Sequence, residues 1–143
     1  MKEKILFLCT GNSCRSQMAE GWGRHFKSDR FDFFSAGTKK HGLNPMAVRV
    51  MNEAGVDISS HVSKTTEDLD GHEFTYVVTV CSDAHETCPY FSGQGKIVHH
   101  GFDDPPRLTK NMTDEGQILE VYRRVRDEIR DFVLKIEQEL EKQ

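Results

Sequence analysis

The sequence predicts an α/β fold of three layers, in which helices cover both faces of a four-stranded parallel sheet. Short segments with the composition of strands alternate along the chain with segments whose apolar residues recur at helical spacing. The length of 143 residues fits one ordinary domain with a single continuous core. We therefore expect residues 1–143 to form one domain.

The first half of the chain supplies two strands and two helices. Residues 4–9 form an apolar run typical of a buried strand, and the polar residues 10–16 follow it as a loop. Residues 31–35 predict the second strand. A second helix should begin with Asn44 as its N-cap and Pro45 in its first turn, and should end near Gly55. Before it, apolar residues at four-residue steps predict a first helix from residue 15 onward: Met18, Trp22 and Phe26.

The second half supplies the other two strands and a long helix. Residues 74–80 are rich in β-branched and aromatic residues and form the strongest candidate strand, and residues 96–99 form a shorter one. Apolar residues at steps of three and four then predict one long amphipathic helix: Ile118, Tyr122, Val125, Ile129, Phe132, Ile136 and Leu140. In such a fold, ligands bind at the carboxyl ends of the strands.

Composition narrows the classes of function. Hydrophobic residues make up 36% and charged residues 29% of the chain, as in a soluble globular protein, and the net charge is −4. The absence of a clustered basic stripe argues against nucleic-acid binding. The apolar run at residues 5–8 is too short for a signal peptide or a membrane span, so we expect a cytosolic protein. Four cysteines in a reducing compartment indicate redox chemistry or metal binding.

The loop after the first strand has the pattern C-x5-R-[ST], from Cys9 to Ser16. Backbone N–H groups and the following helix N-terminus can hold a tetrahedral oxyanion there, and Arg15 can bind two of its oxygens. This positive potential favours the thiolate of Cys9 as a nucleophile, and the Ser16 hydroxyl can stabilise it. Gly11 would allow a tight turn. The alternative is that Cys9 is only a buried cysteine at a strand end. The expected oxyanion-binding residues are Thr10, Gly11, Asn12, Ser13, Cys14, Arg15 and Ser16.

Two further cysteines, Cys81 and Cys88, follow the third strand and are close enough in sequence to form a local disulfide. Zinc binding by Cys81, His85 and Cys88 is an alternative, although no fourth close-spaced ligand is evident. Cys14 is expected to be a buried structural thiol, whose oxidation could trap Cys9 in a dead-end disulfide.

The loop from Cys9 to Ser16 and the segment at residues 17–22 resemble the low-molecular-weight phosphatase superfamily, and more specifically its thioredoxin-coupled arsenate reductase branch. Further matching segments extend this resemblance over nearly the whole chain: residues 35–37, 41–45, 57–59, 78–81, 101–105 and 124–129. The resemblance implies a low-molecular-weight phosphatase-like fold.

The resemblance also implies a reaction. Cys9 would attack arsenate, Cys81 would attack the Cys9 sulfur and release arsenite, and Cys88 would then move the disulfide to Cys81–Cys88. Thioredoxin would supply the reducing equivalents, with no cofactor or metal bound. A carboxyl group from the loop at residues 103–105 could lie over the anion pocket, and the family places the general acid before the proline, at Asp104. Asp103 could simply form a turn.

The resemblance further implies that four residues organise the anion loop: Asn12, Ser16, Glu20 and Ser35. Some family members use part of this set to bind potassium, but Val62 and Lys64 depart from the potassium-binding pattern. We therefore expect no tight potassium site, and the Lys64 ammonium could neutralise Glu20 or be a solvated surface group. His100 is another departure, because many members have tryptophan there.

Two other functions compete with arsenate reduction. A phosphatase would need only Cys9, Arg15 and Asp104. A tyrosine phosphatase would be expected to have aromatic residues beside Asp104 and Pro105 to flank the substrate ring, whereas this chain continues with Pro106, Arg107 and Leu108. A zinc or redox-controlled binding module would not need this nucleophilic arrangement. We expect a monomer that acts on arsenate and is served by thioredoxin.

Overall fold

The computed structural model describes residues 2–81 and 95–142. Its elements, in chain order, are β1 (Glu3–Cys9), α1 (Arg15–Lys27), β2 (Phe31–Gly37), α2 (Pro45–Glu53), a 3₁₀ helix (Thr66–Leu69), β3 (Tyr76–Thr79), β4 (Lys96–His99), α3 (Pro105–Leu108), α4 (Glu115–Leu134) and α5 (Ile136–Glu141). In the described ranges, none of the helices has the length and apolar character needed to cross a membrane.

The four strands form one parallel sheet in the order β2-β1-β3-β4, which confirms the predicted α/β class. Alternate residues of β1 face opposite sides of this sheet. Ile5 and Phe7 belong to the larger core cluster, to which α1, α2 and α4 contribute. Leu6 and Leu8 belong to a smaller cluster on the other face, which is covered by the 3₁₀ helix and the residues that follow it.

Helix α2 begins and ends where its sequence predicts. The Asn44 side chain accepts hydrogen bonds from the backbone N–H groups of Met46 and Ala47, at 2.8 and 3.2 Å. Pro45 is the first helical residue. Gly55 follows the helix with a φ of 89°, a conformation that glycine adopts without steric cost, and its N–H donates to Asn52 O.

The prediction of one uninterrupted C-terminal helix is wrong. Helix α4 begins at Glu115, capped by the Asp114 side chain, and ends at Leu134. Lys135 leaves the helical conformation with φ −110° and ψ 21°, and its N–H donates to Phe132 O at 3.1 Å. Helix α5 starts immediately afterwards, with Ile136 and Leu140 both buried. The apolar spacing continued across the break because both helices pack on the same core.

Candidate active site

The two described cysteines of the predicted relay follow neighbouring parallel strands. Cys9 is the last residue of β1, and Cys81 lies two residues beyond the end of β3. Leu8 pairs with Thr79 in the sheet, and the N–H of Val80 donates to Leu8 O at 3.0 Å. Both cysteines are buried. The topology thus brings them to the same carboxyl edge of the sheet, where a parallel α/β fold places its ligands.

The loop between β1 and α1 turns at Asn12. Asn12 has a φ of 47°, in the left-handed region that asparagine tolerates better than most residues. Gly11 does not have a positive φ, and its expected role in a tight turn stays a prediction. A Cβ atom at Gly11 would lie 2.3 Å from Nδ1 of His41, so a larger residue there would have to displace the His41 side chain.

A short chain of polar contacts reaches the Cys9 sulfur. The Ser16 hydroxyl oxygen lies 2.9 Å from Cys9 Sγ, and Asn12 Nδ2 donates to that same oxygen at 2.9 Å. The other side-chain atom of Asn12, Oδ1, accepts from the Lys64 backbone N–H at 2.7 Å and from Gln17 Nε2 at 2.9 Å. Both Nδ2 and Oδ1 of Asn12 therefore have hydrogen-bond partners. Through Nδ2, Asn12 holds the Ser16 hydroxyl next to the Cys9 sulfur.

Gln17 is a loop-holding residue that the sequence analysis missed. Its side chain is completely buried, and Nε2 donates to Asn12 O, Asn12 Oδ1 and Val62 O at 2.9 to 3.2 Å. Its Oε1 faces Nδ1 of His61 at 3.0 Å. The only indication in the sequence was that Gln17 is a polar residue in the first turn of an amphipathic helix, on a side that faces the core.

Glu20 lies between two cations beneath the loop. Its buried carboxylate is paired with Arg24 at 2.9 Å and lies 3.8 Å from the Lys64 ammonium. The same carboxylate accepts a hydrogen bond from the Ser35 hydroxyl. The Lys64 ammonium also donates to Val62 O at 2.9 Å. The structure thus places Lys64 where it can neutralise Glu20. The absence of a potassium site stays a prediction.

Arg15 and Asp104 face one cavity together with Cys9. Arg15 is 4% exposed, and its Nη1 donates to Phe102 O at 3.1 Å and to Val80 O at 3.4 Å. Its Nε lies 3.7 Å from Asp104 Oδ1. The cavity measures about 290 Å³. Its described lining residues are Cys9, Thr10, Gly11, Ser13, Cys14, Arg15, His41, Asn44, Asp104 and Pro106.

Other acidic and thiol groups around the cavity have separate roles. Asp103 is exposed and pairs with Arg124 at 3.0 Å, so the two adjacent aspartates point to different partners. Burial raises the pKa of the Cys14 thiol far above its ordinary value, and the nearby Asp104 carboxylate raises this pKa further. Cys14 therefore stays protonated, in agreement with the expected structural thiol.

Of the predicted residues Cys81, His85 and Cys88, the structure describes only Cys81. Cys88 and His85 lie outside the described residues, so their proposed disulfide and zinc roles stay predictions. Cys81 is disulfide-bonded, whereas Cys9 and Cys14 carry free thiols. Within residues 2–81 and 95–142, no cluster of three His, Cys, Asp or Glu side chains could hold a metal ion.

Comparisons with known proteins match nearly the whole chain. The family described as low molecular weight phosphotyrosine protein phosphatase matches residues 4–143. An arsenate reductase of Halalkalibacterium halodurans is 49% identical over 128 residues, which are 90% of each chain. Arsenate reductase 2 of Staphylococcus epidermidis is 45% identical over 132 residues, which are 92% of this chain and 94% of the relative.

Solved structures agree with these matches. A structure described as an arsenate reductase in the phosphate binding state has a TM-score of 0.76 at 30% identity, covering 94% of this chain and 95% of that one. A low molecular weight protein tyrosine phosphatase from T. tengcongensis has a TM-score of 0.70 at 28% identity, covering 96% and 99%. The resemblance found in the sequence is confirmed: the chain belongs to the low molecular weight phosphotyrosine protein phosphatase family, together with the arsenate reductases compared above.

Proposed function

We propose that this chain is an arsenate reductase that uses Cys9, Cys81 and Cys88 in succession. The observation that carries the proposal is the cavity at the sheet edge, which joins the Cys9 thiol, Arg15 and Asp104, with Cys81 following the adjacent strand. The anion loop and Arg15 would hold three oxygens of arsenate, and the Ser16 hydroxyl would stabilise the attacking thiolate. Relatives at 44 to 49% identity are named arsenate reductases.

In the first step, the Cys9 thiolate attacks arsenic and the hydroxyl group of hydrogen arsenate leaves as water. Asp104, as the general acid, gives the proton that this departing oxygen needs. A covalent bond then joins Cys9 Sγ to arsenic, which is still pentavalent. The location of Asp104 next to Arg15 and over the same cavity supports this role.

In the second step, the Cys81 thiolate attacks the Cys9 sulfur. The electron pair of the sulfur–arsenic bond passes to arsenic, so arsenite leaves in the trivalent state and a Cys9–Cys81 disulfide forms. The Cys88 thiolate then attacks Cys81 and releases the Cys9 thiolate. A free thiol at Cys9 with a disulfide at Cys81 is the combination expected after that release, which supports the order proposed.

The Cys81–Cys88 disulfide would be reduced by an external dithiol protein, for which thioredoxin is our proposal. Two electrons enter arsenic in each turnover, and both are supplied by the oxidation of two thiols to one disulfide. A dithiol reductant restores them by the same exchange chemistry, so the reaction needs no bound flavin, nicotinamide or metal.

Phosphomonoester hydrolysis is the second candidate, because Cys9, Arg15 and Asp104 are sufficient for it and the family includes tyrosine phosphatases. The described lining residues argue against a tyrosine substrate. They contain no phenylalanine, tyrosine or tryptophan that could flank a phenyl ring. Slow hydrolysis of aryl phosphates is compatible with the same machinery.

The test is arsenate-dependent NADPH oxidation coupled through thioredoxin and thioredoxin reductase. Wild type should turn over, and Cys9→Ser, Cys81→Ser and Cys88→Ser should each be inactive, while the exposed-site control Ser28→Ala should match wild type. In single turnover without thioredoxin, Cys88→Ser should release one equivalent of arsenite and stop with a Cys9–Cys81 disulfide, whereas Cys81→Ser should release none. If wild type is inactive on arsenate and hydrolysis of aryl phosphates survives Cys81→Ser, the protein is a phosphatase.

A further inference from the structure

The rim of the cavity carries a histidine to which the proposed reaction gives no role. His41 lies in the loop between β2 and α2, and it lines the cavity together with Cys9, Arg15 and Asp104. His41 is also exposed, so its side chain stands where the cavity opens to solvent. A histidine in this position can donate a hydrogen bond to a bound oxyanion and, once protonated, can balance its charge.

The His41 side chain is held against the anion loop. The backbone N–H of His41 donates to Gly11 O at 3.1 Å. A Cβ atom built on Gly11 would lie 2.3 Å from Nδ1 and 2.7 Å from Cγ of His41, so the ring packs directly on the glycine backbone. Three residues further on, the Asn44 N–H donates to Ser13 O at 3.1 Å. The loop that bears His41 is therefore attached to the same backbone that would hold the oxyanion.

The charges of the reactants favour a second cation in this cavity. Hydrogen arsenate is a dianion, and Cys9 must be a thiolate to attack it. Among the described lining residues, Arg15 is the only lysine or arginine. Its Nη1 already donates to two backbone carbonyl groups, and its Nε lies 3.7 Å from Asp104 Oδ1. Within the same described set, His41 is the only other residue whose side chain can become positively charged.

We propose that His41 is an anion-binding residue of the arsenate site, whose imidazolium donates a hydrogen bond to an arsenate oxygen at the open side of the cavity. The inference rests on the proposed function of the site. A hydrogen bond from a charged donor to an anion is stronger than one between neutral groups. The oxygen that His41 contacts stays on arsenic, because Asp104 serves the departing one. The contact is then similar before and during the attack, so it contributes to binding rather than to the chemical step.

The test is calorimetric titration of the reduced protein with inorganic phosphate, a tetrahedral oxyanion of the same charge as arsenate. We expect His41→Ala to weaken phosphate binding by roughly 5- to 20-fold, the loss expected for one hydrogen bond to a charged group. His41→Arg restores a cation and should bind phosphate within about 3-fold of wild type. Lys40→Ala is the matched control, because the adjacent Lys40 pairs with Asp68 at 2.9 Å and is not among the described lining residues. Its phosphate affinity should stay within about 2-fold of wild type.

Kinetics separate binding from the chemical step. In thioredoxin-coupled arsenate reduction, His41→Ala should raise KM for arsenate by a factor similar to its loss of phosphate affinity, with kcat within about 2-fold of wild type. Wild-type phosphate affinity in His41→Ala would overturn the inference, and so would a loss as large in Lys40→Ala. Equal weakening in His41→Ala and His41→Arg would overturn it as well, because the positive charge would then have no part in binding.

Failure of the proposed function gives a different result. Wild type would then bind phosphate without reducing arsenate, and the titrations of His41→Ala and His41→Arg would still decide whether His41 binds the anion. Unchanged phosphate affinity together with faster aryl phosphate hydrolysis in His41→Ala would overturn the inference and show that the ring only obstructs the cavity. A wild-type protein that binds neither phosphate nor arsenate would overturn both proposals.

Discussion

Asn12 shows how one residue fixes the geometry of the nucleophile. A left-handed backbone at a residue other than glycine costs about 1–2 kcal/mol and persists only where surrounding contacts hold it. Those contacts are the Lys64 backbone, the Gln17 side chain and the Ser16 hydroxyl. The motif in the sequence predicted the loop and its nucleophile. Lys64 comes from a distant part of the chain, so the motif alone could not identify this partner.

Removal of the Ser16 hydroxyl tests this arrangement. Ser16→Ala deletes the oxygen at 2.9 Å from Cys9 Sγ and leaves Asn12 Nδ2 without its buried acceptor. A hydrogen bond to a charged group contributes about 1.5–3 kcal/mol, so we expect kcat with arsenate to fall by roughly 10- to 100-fold. Cys9 alkylation by iodoacetamide at pH 7 should slow in parallel. Unchanged alkylation in Ser16→Ala would show that the hydroxyl does not stabilise the thiolate.

At the scale of elements, the segment at residues 61–64 braces the anion loop. Each of its four residues contributes one group: the His61 ring and Val62 O contact Gln17, the Ser63 hydroxyl donates to Gly11 O at 3.0 Å, and the Lys64 N–H donates to Asn12. The segment has no regular secondary structure. Its role follows from side-chain and backbone contacts rather than from a periodic pattern, and the sequence analysis did not find it.

Protonation of His61 should lower the stability of the fold, because burial disfavours the charged imidazole. Burial lowers the pKa of His61 below its ordinary value of 6.5, and Arg24 and Lys64 also lower it, while Glu20 and Asp57 oppose the shift. The folded protein thus binds a proton less readily than the unfolded chain. The stability that neutral His61 provides is present above pH 6.5 and is lost as the pH falls through the lower pKa of the folded state.

We therefore expect the melting temperature to fall between pH 7.5 and pH 5, and to fall less in His61→Gln, which does not titrate. Calorimetry of both proteins over this range measures the difference. Identical pH profiles for wild type and His61→Gln would exclude the titration of His61 as a contributor.

At the scale of the whole molecule, the parallel sheet explains what the sequence could predict of the site. Strand composition placed Cys9 and Cys81 after separate strands, and a parallel sheet puts both strand ends on one edge. Asp104 reaches the same edge because it follows β4. His41 and Asn44 also line the cavity, and they come from the loop after β2 and from the N-cap of α2. Their approach to Cys9 depends on side-chain packing, which a periodic pattern in the sequence does not predict.

The break between α4 and α5 is the feature of the molecule that periodicity predicted incorrectly. Leu134 is 43% exposed and Ile136 is completely buried, as expected of residues two positions apart, which point about 200° apart around a helix. Helix α5 continues the buried face past Lys135, with Ile136 and Leu140 in the core. Lys96 Nζ of β4 donates to Leu140 O at 3.0 Å, which ties α5 to the edge of the sheet.

We expect Ile136→Ala to lower the free energy of unfolding by about 2–4 kcal/mol, because it removes buried methyl groups and leaves a cavity. Leu134→Ala, two residues away, should change this free energy by only about 0.5 kcal/mol, as at other exposed positions. Urea denaturation of the two variants provides the comparison. Because the core cluster that includes Ile136 also includes Cys9 and Tyr122, the loss at position 136 should lower the temperature at which activity disappears while leaving kcat at 25 °C close to wild type. Equal losses of stability in the two variants would mean that Ile136 is packed no more tightly than Leu134.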